Sequence, residues 1–365
     1  MNKFVKKSKL LIALMLMFSL FTSCVNKNHF KNDGEIYLYP EYAKGFYVTK
    51  SSSGDYTLII RNPSDTTQVI SRVELKKDDI KDSNTACCFS ITHIAFYDRI
   101  GCIGNMIGIP DSNMFRGSDI LNKIDRNNVK VITLGAGTKT EVILDLNPDF
   151  LFTSEYQHAD FSTINSAGIK VVPVLEYLEN TPLGRMEWIR LFGFLMDRED
   201  MALAISDSII KKYNSLICRD MDDADRPQIL DASEYNGYWY AAGGQSYVTA
   251  FFRDAGFDYV WKDDIHNGSF AVSPEEALKQ GMTVEYWRFV TDCDADMAIT
   301  LDYVRSSNQY YDKFRSVREG KVIACNPTGS GYYTTGILEP DVVLQDFILA
   351  REGADGGVYY KLITK

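Results

Sequence analysis

Short apolar runs alternate with amphipathic stretches along most of this chain. In the first half, the runs typical of buried strands are Ala86–Ser90, Arg99–Ile109, Val131–Thr133, Phe150–Thr153 and Lys170–Leu175. Between them, Thr140–Asn147 and Phe161–Ala167 have the spacing of amphipathic helices. Strands that alternate with helices in this way predict parallel βαβ units.

The same alternation returns in the second half of the chain. It predicts strands at Gln228–Ala232, Tyr238–Tyr240, Asp296–Thr300 and Lys321–Ala324. It predicts helices at Tyr247–Ala255, Pro274–Lys279, Leu301–Ser306 and Pro340–Arg351. The chain therefore contains two α/β regions of similar type.

A long helical pattern separates the two α/β regions. Thr181 is a good N-cap and Pro182 suits the first helical position. Apolar residues recur at intervals of three and four as far as Met196, and the pattern continues to about Arg219. A natural break falls at Met196-Asp197-Arg198.

The residues before the first α/β region follow a different pattern. Between Ile36 and Leu75, short strand-like runs are interrupted by Gly54, Asn62-Pro63 and Asp65, which predicts a small β appendage. We therefore expect two Rossmann-like α/β lobes joined by a single long helix, with a small N-terminal β appendage. The expected divisions are a signal peptide (1–23), a tether (24–35), the appendage and its linker (36–85), the N-terminal lobe (86–180), the connecting helix (181–220) and the C-terminal lobe (221–365).

The first residues have the features of a targeting segment. Four lysines precede an apolar run from Leu10 to Phe21, and Thr22, Ser23 and Cys24 follow. This arrangement resembles a bacterial lipoprotein signal, in which the peptidase cuts before a cysteine that carries a diacylglycerol. Lipidation of Cys24 would anchor the protein to a membrane on the periplasmic side. The alternative is an ordinary secretory peptide with an incidental cysteine.

Composition and charge exclude some classes of protein. Of the 365 residues, 45% are apolar, which is typical of a globular chain rather than a disordered one. The net charge of −10 argues against non-specific nucleic-acid binding, because phosphates require a cationic face. Aromatic residues reach 13%, with 22 tyrosines, and tyrosine-rich surfaces often bind large, partly polar ligands.

Six cysteines follow Cys24, and they show no regular spacing. An oxidising compartment would allow disulfides. The adjacent pair Cys87 and Cys88 lies in an apolar run, which favours small buried thiols, although a Cys88–Cys102 bridge stays open.

The sequence contains no catalytic fingerprint. It has no GxSxG, HExxH or P-loop motif, and no two of its four histidines have a metal-ligand spacing. We therefore expect no enzymatic activity, no resident cofactor and no protein-bound metal. Gly135-Ala136-Gly137-Thr138 favours a tight turn over an anion cradle.

Aromatic side chains follow several predicted strands. Tyr156 comes after Phe150–Thr153, and Tyr332-Tyr333 comes after the strand that ends at Ala324. In open α/β sheets, ligands bind where parallel strands end. The candidate ligand contacts in the second lobe are Tyr235, Tyr238, Trp239 and Tyr240.

Several segments together resemble the substrate-binding lipoproteins of ABC importers for iron-siderophores, haem and cobalamin. The resemblance covers about Tyr42 to Leu349. Its segments, in order, are Thr140–Phe152, Ala167–Pro173, Thr181–Ile189, Trp239–Tyr247, Asp254–Trp261, Asp294–Ile299 and Gly336–Asp346. Tyr42-Ala-Lys-Gly45-Phe46 and the β appendage resemble a subgroup associated with iron transport.

That resemblance implies a monomer with two α/β lobes, a ligand cleft between them, and one acidic residue on each lobe that pairs with permease arginines. Val272-Ser273-Pro274-Glu275-Glu276 matches the motif with the second-lobe acid, so Glu275 is its candidate. In the first lobe the usual glutamate is missing, and Asp160 takes its place as candidate. The partners implied are a small metal chelate, the permease and its ATPase.

The implied function is capture of an iron chelate, either a ferric siderophore or haem, in the periplasm and its delivery to the permease. His93 and Tyr156 offer side chains that bind haem iron, and Arg116 offers a cation for an anionic siderophore. Cobalamin remains an alternative ligand. A less favoured alternative is a chelatase-like lipoprotein using His93 with Glu155 or Glu234, and a third is a surface scaffold.

Overall fold

The computed structural model describes residues 34–111, 115, 119–124, 128–132, 140–154 and 160–365. Cys24, Arg116, Tyr156 and Glu155 lie outside these residues, as does the signal segment, so the predictions made for them stay predictions. Within the described ranges, no helix is both long and apolar enough to cross a bilayer.

Four antiparallel strands form the N-terminal appendage. They pair in the order β1-β2-β3-β4, with bounds Glu35–Leu38, Phe46–Lys50, Tyr56–Asn62 and Asp65–Leu75. The chain between β1 and β2 runs against the connecting region, where buried carboxylates hold it. This sheet is the predicted β appendage, and it packs into the body of the protein.

The N-terminal lobe contains a parallel sheet of five strands. Its order is β7-β6-β5-β8-β9, with β5 at Ala86–Cys88, β6 at Met106–Ile109, β7 at Lys130–Val131, β8 at Phe150–Thr153 and β9 at Lys170–Pro173. The expected strand Arg99–Ile109 is shorter than predicted, because the helix after β5 extends to Arg99.

The C-terminal lobe contains a second five-stranded sheet and a separate antiparallel sheet of three strands. The larger sheet has the order β13-β10-β15-β16-β17, at Asp258–Tyr259, Gln228–Leu230, Tyr286–Val290, Val322–Cys325 and Lys361–Ile363, with only β17 antiparallel. The smaller sheet has the order β11-β12-β14, at Ala232–Tyr235, Tyr238–Ala242 and Ser269–Val272.

The prediction of a strand at Asp296–Thr300 is wrong. Those residues form a loop, and the central strand β15 at Tyr286–Val290 occupies the position instead. The sequence of β15 contains Arg288 between aromatic residues, which obscures its apolar character. Its guanidinium bonds both carboxylate oxygens of Asp231 at 3.1 Å, so the charge is compensated within the strand layer.

Helices cover the sheets and join the lobes. Among the described residues they are Ile91–Arg99, Ile120–Lys123, Thr140–Leu146, Ser162–Ser166, Pro182–Glu187, Ile189–Leu195, Glu199–Leu216, Tyr247–Asp254, Pro274–Thr283, Leu301–Ser307, Arg315–Glu319, Pro327–Ser330 and Pro340–Arg351.

The helical connection between the lobes is divided into three segments. Thr181 caps its start by accepting a hydrogen bond from the Gly184 N–H at 3.0 Å, as its sequence predicts. One break falls at Trp188, and the other falls at the predicted position, where Asp197 has a positive φ of 50°. The chain then turns back, so the segments Ile189–Leu195 and Glu199–Leu216 pack closely at Gly193; a Cβ there would lie 2.3 Å from Ala202.

A single apolar cluster joins the appendage, the connection and both lobes. It includes Phe46 and Leu58 of the appendage, Trp188 and Phe192 of the connection, and Phe347 of the C-terminal lobe. Burial of this continuous surface stabilises the lobes as one body. The six cysteines after Cys24 are all unpaired, so the Cys88–Cys102 bridge left open above does not form.

Two buried carboxylates attach the appendage to the connection. Glu187 accepts the backbone N–H groups of Glu41, Tyr42 and Ala43 at 3.0, 2.6 and 2.8 Å. Glu179 accepts those of Lys44 and Gly45, together with the indole N–H of Trp188 at 3.0 Å. The chain between β1 and β2 is therefore held by hydrogen bonds from five consecutive backbone N–H groups to two buried acids.

We expect Glu187→Gln to lower the free energy of unfolding by roughly 3 kcal/mol, because the amide leaves buried N–H donors without a charged acceptor. Urea denaturation measures the change. Glu74→Gln is the matched control: its exposed carboxylate bonds the Thr57 hydroxyl, and its loss should cost less than about 0.5 kcal/mol. Equal losses in the two variants would contradict this role of Glu187.

Glu179 gives the attachment a pH dependence. Burial raises the pKa of its carboxyl from 4.5 to about 7, against the opposing effect of its N–H donors. Between these values the native state holds a proton that the unfolded chain has released, so this contribution to stability is complete below the unfolded pKa and is lost as the pH rises toward 7. Relative to Glu179→Gln, we expect wild-type stability to fall from about pH 5 to pH 7 in urea titrations. A constant difference between the two proteins would contradict the raised pKa.

Candidate functional site

A pocket of about 80 Å³ lies where the two lobes meet the connection. The N-terminal lobe contributes Thr92, and the first connecting helix contributes Pro182 and Arg185. The remaining lining residues belong to the C-terminal lobe: Tyr247, Phe251, Tyr332, Tyr333, Gly336, Ile337 and Pro340. The pocket is therefore aromatic on one side and cationic on another.

Arg185 supplies the positive charge in this pocket. Its guanidinium carbon lies 4.0 Å from the centroid of the Tyr247 ring, so the cation stacks on an aromatic face. The buried Nε has no hydrogen-bond partner, and no carboxylate of the described chain forms an ion pair with this side chain. Burial alone would lower the pKa of Arg185, but the neighbouring Tyr247 and Glu176 raise it, so the group stays charged.

The guanidinium of a second arginine near the pocket has hydrogen-bond partners on all three nitrogens. Arg288 donates to both oxygens of Asp231 and to the hydroxyl of Tyr360, at 3.1 and 2.8 Å from its Nε and Nη2. It therefore ties the middle of β15 to the residue after β10 and to the C-terminal segment. The contrast with Arg185 is clear, because Arg185 retains an unused donor at the pocket.

A buried acid and histidine lie close to the pocket. Glu176 accepts a hydrogen bond from the Thr92 hydroxyl at 2.8 Å, and its other oxygen lies 3.7 Å from His93 Nε2, too far for a hydrogen bond. Burial opposes ionisation, yet the His93 ring and the Arg185 guanidinium hold the pKa of Glu176 below its usual range. The acid therefore adds a negative charge behind Arg185.

Burial at the lobe junction also affects the tyrosines there. Burial raises the pKa of Tyr332 well above its ordinary value, and nearby Tyr247 adds to the increase. Its hydroxyl therefore stays protonated and can donate a hydrogen bond. Tyr333 is 53% exposed beside it, so the pocket has both a buried and an accessible phenol.

Two contacts between the lobes lie outside this pocket. Arg99 of the N-terminal lobe approaches Glu339 of the C-terminal lobe, with 3.5 Å between Nη1 and Oε1. The amide of Asn267 donates to the Leu178 carbonyl at 2.6 Å and to the Ser64 hydroxyl at 2.7 Å. The second contact joins the C-terminal lobe, the N-terminal lobe and the appendage.

Two of the predicted ligand contacts are buried in this structure. Trp239 is only 4% exposed and packs edge-on against Tyr311, because its position on β12 points into the C-terminal lobe. His93 has no exposed surface and lies between Glu176 and Phe192. Neither ring is available to a ligand in this conformation.

The other predicted tyrosines remain accessible but do not line the described pocket. Tyr235, Tyr238 and Tyr240 are 69%, 67% and 41% exposed. Their hairpin also contains Glu234, which accepts a hydrogen bond from the Gly237 N–H instead of facing His93. The acid–base pair that the chelatase alternative requires is therefore not formed by these two residues.

The two proposed docking acids are both at the surface. Asp160 is exposed, and it accepts a hydrogen bond from the Ser162 N–H at 2.9 Å, at the start of a short helix. Glu275 is exposed at the second position of helix Pro274–Thr283. Across the described residues, no group of three His, Cys, Asp or Glu side chains forms a metal site.

Sequence reasoning missed Arg185 and Tyr247 as pocket residues. The available signal for Arg185 was a lone cation in Thr181–Ile189, a segment in which Glu187 is the only other charged residue. Tyr247 directly follows Ser246, which caps helix Tyr247–Asp254. Their meeting depends on how the two helices cross, which neither segment specifies.

Two curated relatives are uncharacterized lipoproteins of Methanocaldococcus jannaschii. One is 25% identical over 70% of this chain and 62% of its own length. The other is 20% identical over 85% of this chain and 79% of its own length. The match therefore spans less than two thirds of the first relative.

Solved structures share the fold at low identity. A catecholate-siderophore binding protein of Vibrio cholerae superposes with a TM-score of 0.55 at 12% identity, over 83% of this chain and 99% of its own. A haem binding protein of Pseudomonas aeruginosa gives 0.56 at 14%, over 77% and 98%. An Fe³⁺-hydroxamate transport protein of Saccharomonospora viridis gives 0.55 at 16%, over 78% and 97%.

A family model decides the classification. The model described as "Periplasmic binding protein" matches residues 117–328, more than half of the chain. This range includes the connection and most of both lobes. With two α/β lobes, a helical connection and a pocket between them, the chain belongs to the periplasmic binding protein family.

Proposed function

We propose that this protein captures an anionic iron chelate between its lobes and delivers it to the permease of an ABC importer. The observation that supports this most directly is Arg185, a charged donor without a carboxylate partner at the junction of both lobes. Glu176 offsets part of this positive charge, but the Arg185 Nε lacks an acceptor, and an anion is the acceptor that completes it best. A ligand carboxylate or catecholate oxygen would do so.

The aromatic lining fits the rest of such a ligand. Tyr247, Tyr332 and Tyr333 offer ring surface and hydroxyl groups, which suit a large ligand with flat apolar area and polar edges. The structural neighbours named for a catecholate siderophore, a hydroxamate and haem support an iron chelate as the class. The pocket is smaller than any of these ligands, so we propose that the lobes separate to admit one.

Delivery requires a protein that stays close to the importer. Lipid on Cys24 would confine it to a membrane surface on the periplasmic side, and the lipoprotein relatives support this location. The acids Glu275 and Asp160 are proposed to meet permease arginines. We propose that the protein acts as a monomer and catalyses no reaction.

We expect the purified protein to retain one intact chelate per chain from a panel of haem, a ferric catecholate, a ferric hydroxamate and cobalamin. Arg185→Gln should weaken binding of an anionic member by about 10- to 150-fold, the equivalent of ~1.5–3 kcal/mol for a charge-assisted hydrogen bond. Native mass spectrometry identifies the ligand, and calorimetry measures its affinity.

Arg190→Gln is the matched control for that measurement. Arg190 lies on the same connection, but its guanidinium already has three partners: Ser206 and Asp207 at 3.0 and 2.7 Å, and Glu187 at 3.4 Å. Binding should therefore be unchanged in this variant. If Arg185→Gln also binds like wild type, the anion does not sit on Arg185; if only cobalamin is retained, the ligand class is different.

We expect Cys24→Ala to release the protein from membranes without changing its fold, because the diacyl group supplies the two chains that stable anchoring requires. Fractionation after a high-salt wash measures the effect, with Cys218→Ala as the control. A variant that stays with the membrane would show that Cys24 is not the anchor.

A further inference from the structure

Four buried polar atoms without hydrogen-bond partners lie together at the pocket. They are Glu176 Oε2, both ring nitrogens of His93 and Arg185 Nε, and they make up four of the nine such atoms among the described residues. A buried polar atom without a partner costs free energy, and native proteins keep only a few of them. Their concentration in three side chains that interact electrostatically points to a role beyond packing.

Glu176 and His93, here called the buried pair, belong to the N-terminal lobe. The glutamate begins the short helix Glu176–Leu178, and the histidine lies in the first turn of helix Ile91–Arg99. Glu176 Oε2 and His93 Nε2 are 3.7 Å apart, which is too long for a hydrogen bond but close enough for a strong electrostatic interaction. The two residues are only 2% and 0% exposed, so they titrate as one unit.

The buried pair is connected to the pocket through two side chains that line it. The Thr92 hydroxyl donates a hydrogen bond to Glu176 Oε1 at 2.8 Å, and Thr92 lines the pocket. Arg185 lines the pocket as well. Burial raises the pKa of Glu176, but His93 and Arg185 together outweigh burial and hold this pKa below its usual range. The charge of Arg185 therefore acts on both the pocket and the buried pair.

The other titratable groups that face Arg185 are phenols. Tyr247 stacks on the guanidinium at 4.0 Å, and Tyr332 also interacts with its charge. Phenols ordinarily titrate near pH 10, so they exchange no proton between about pH 6 and pH 8. Phe192, the aromatic neighbour of His93, carries no charge. Among the described residues around Arg185, the buried pair is therefore the group that can exchange a proton near neutral pH, since histidine titrates there.

The charges of Arg185 and Glu176 balance each other in the free protein. A protonated His93 would add a second cation beside Arg185 and would bury two N–H donors without acceptors, which burial opposes. An anion on Arg185 changes this balance, because the site then contains two negative charges and one positive charge. One proton on the buried pair restores neutrality, which a buried site strongly favours.

We propose that the buried pair takes up a proton from solvent when an anionic chelate binds at Arg185, an inference that rests on the proposed function. The proton reaches the pair while the lobes are apart, from the side that Thr92 lines. Binding of the anion and binding of the proton then strengthen each other, because linkage is reciprocal. The pocket therefore binds an anion more tightly at lower pH, whereas an uncharged chelate binds equally well across the same range.

The test measures proton uptake together with affinity. Calorimetry from about pH 6 to pH 8, in buffers of different ionisation enthalpy, counts the protons taken up per chelate. A ferric catecholate is the anionic probe, and cobalamin is the comparison without an anionic group for Arg185. Glu176→Gln retains an acceptor for the Thr92 hydroxyl but removes the carboxylate. Glu339→Gln is the matched control, because this acid of the same junction faces Arg99 and Tyr359 instead.

Relative to Glu176→Gln, we expect wild type and Glu339→Gln to take up about half a proton more per ferric catecholate. Their affinity should rise about fivefold or more from pH 8 to pH 6, and the affinity of Glu176→Gln should change less. At pH 8, Glu176→Gln should bind the catecholate more tightly than wild type, because its amide does not repel the anion. A merely structural role of Glu176 would instead weaken binding at every pH.

A titration of the free protein tests the same coupling without any chelate. Arg185→Gln removes the positive charge, as a bound anion would neutralise it, so the buried pair should take up its proton about one pH unit higher. NMR spectra of protein labelled with ¹⁵N in its histidines report this change at His93. His266 is the internal reference, because its exposed ring lies 3.0 Å from Asp264 and should titrate alike in both proteins.

Two results would overturn the proton-linked pocket. One is equal proton uptake by wild type and Glu176→Gln when the ferric catecholate binds. The other is an identical titration of His93 in wild type and Arg185→Gln. If wild type retains no anionic panel member, the proposed function fails, and the titration of the free protein still decides whether Arg185 controls the proton of the buried pair.

Discussion

Two buried carboxylates, Glu179 and Glu187, determine how the appendage and the connection are joined. Between them they accept the N–H groups of five consecutive residues, 41–45, and the indole N–H of Trp188. Acids buried in this way are stable only if their hydrogen-bond donors are in place. The attachment is therefore cooperative, and it places the N-terminal sheet on the apolar cluster that continues into both lobes.

The first connecting helix serves both the attachment and the pocket. Arg185 and Glu187 are two residues apart on helix Pro182–Glu187, which separates them by about 200° around the helix axis. Glu187 therefore faces the chain of the appendage, while Arg185 faces the pocket. Because the attachment holds this helix, the cation at the lobe junction has a fixed position before any ligand arrives, which reduces the cost of ordering it.

Aromatic residues in the C-terminal lobe have three separate roles. Trp239, Tyr311 and Phe314 pack inside the lobe. Tyr247, Tyr332 and Tyr333 line the pocket at the lobe junction. Tyr235, Tyr238 and Tyr240 lie outside both and are exposed on the hairpin of β11 and β12. A high tyrosine content alone did not distinguish these roles, because the residue type suits a core, a ligand site and a protein interface equally well.

The sequence by itself determined the α/β class, the N-terminal β sheet, the start of the connection at Thr181-Pro182 and its break near Asp197, because these features depend on local periodicity, capping and turn chemistry. It failed at Tyr286–Val290, where a buried arginine is stable only because Asp231 comes from another strand. It did not indicate that Trp239 and His93 are buried, since the side of an element that is buried depends on its neighbours. Only the tertiary structure brought Arg185 onto Tyr247, because helix crossing joins residues that are distant in the chain.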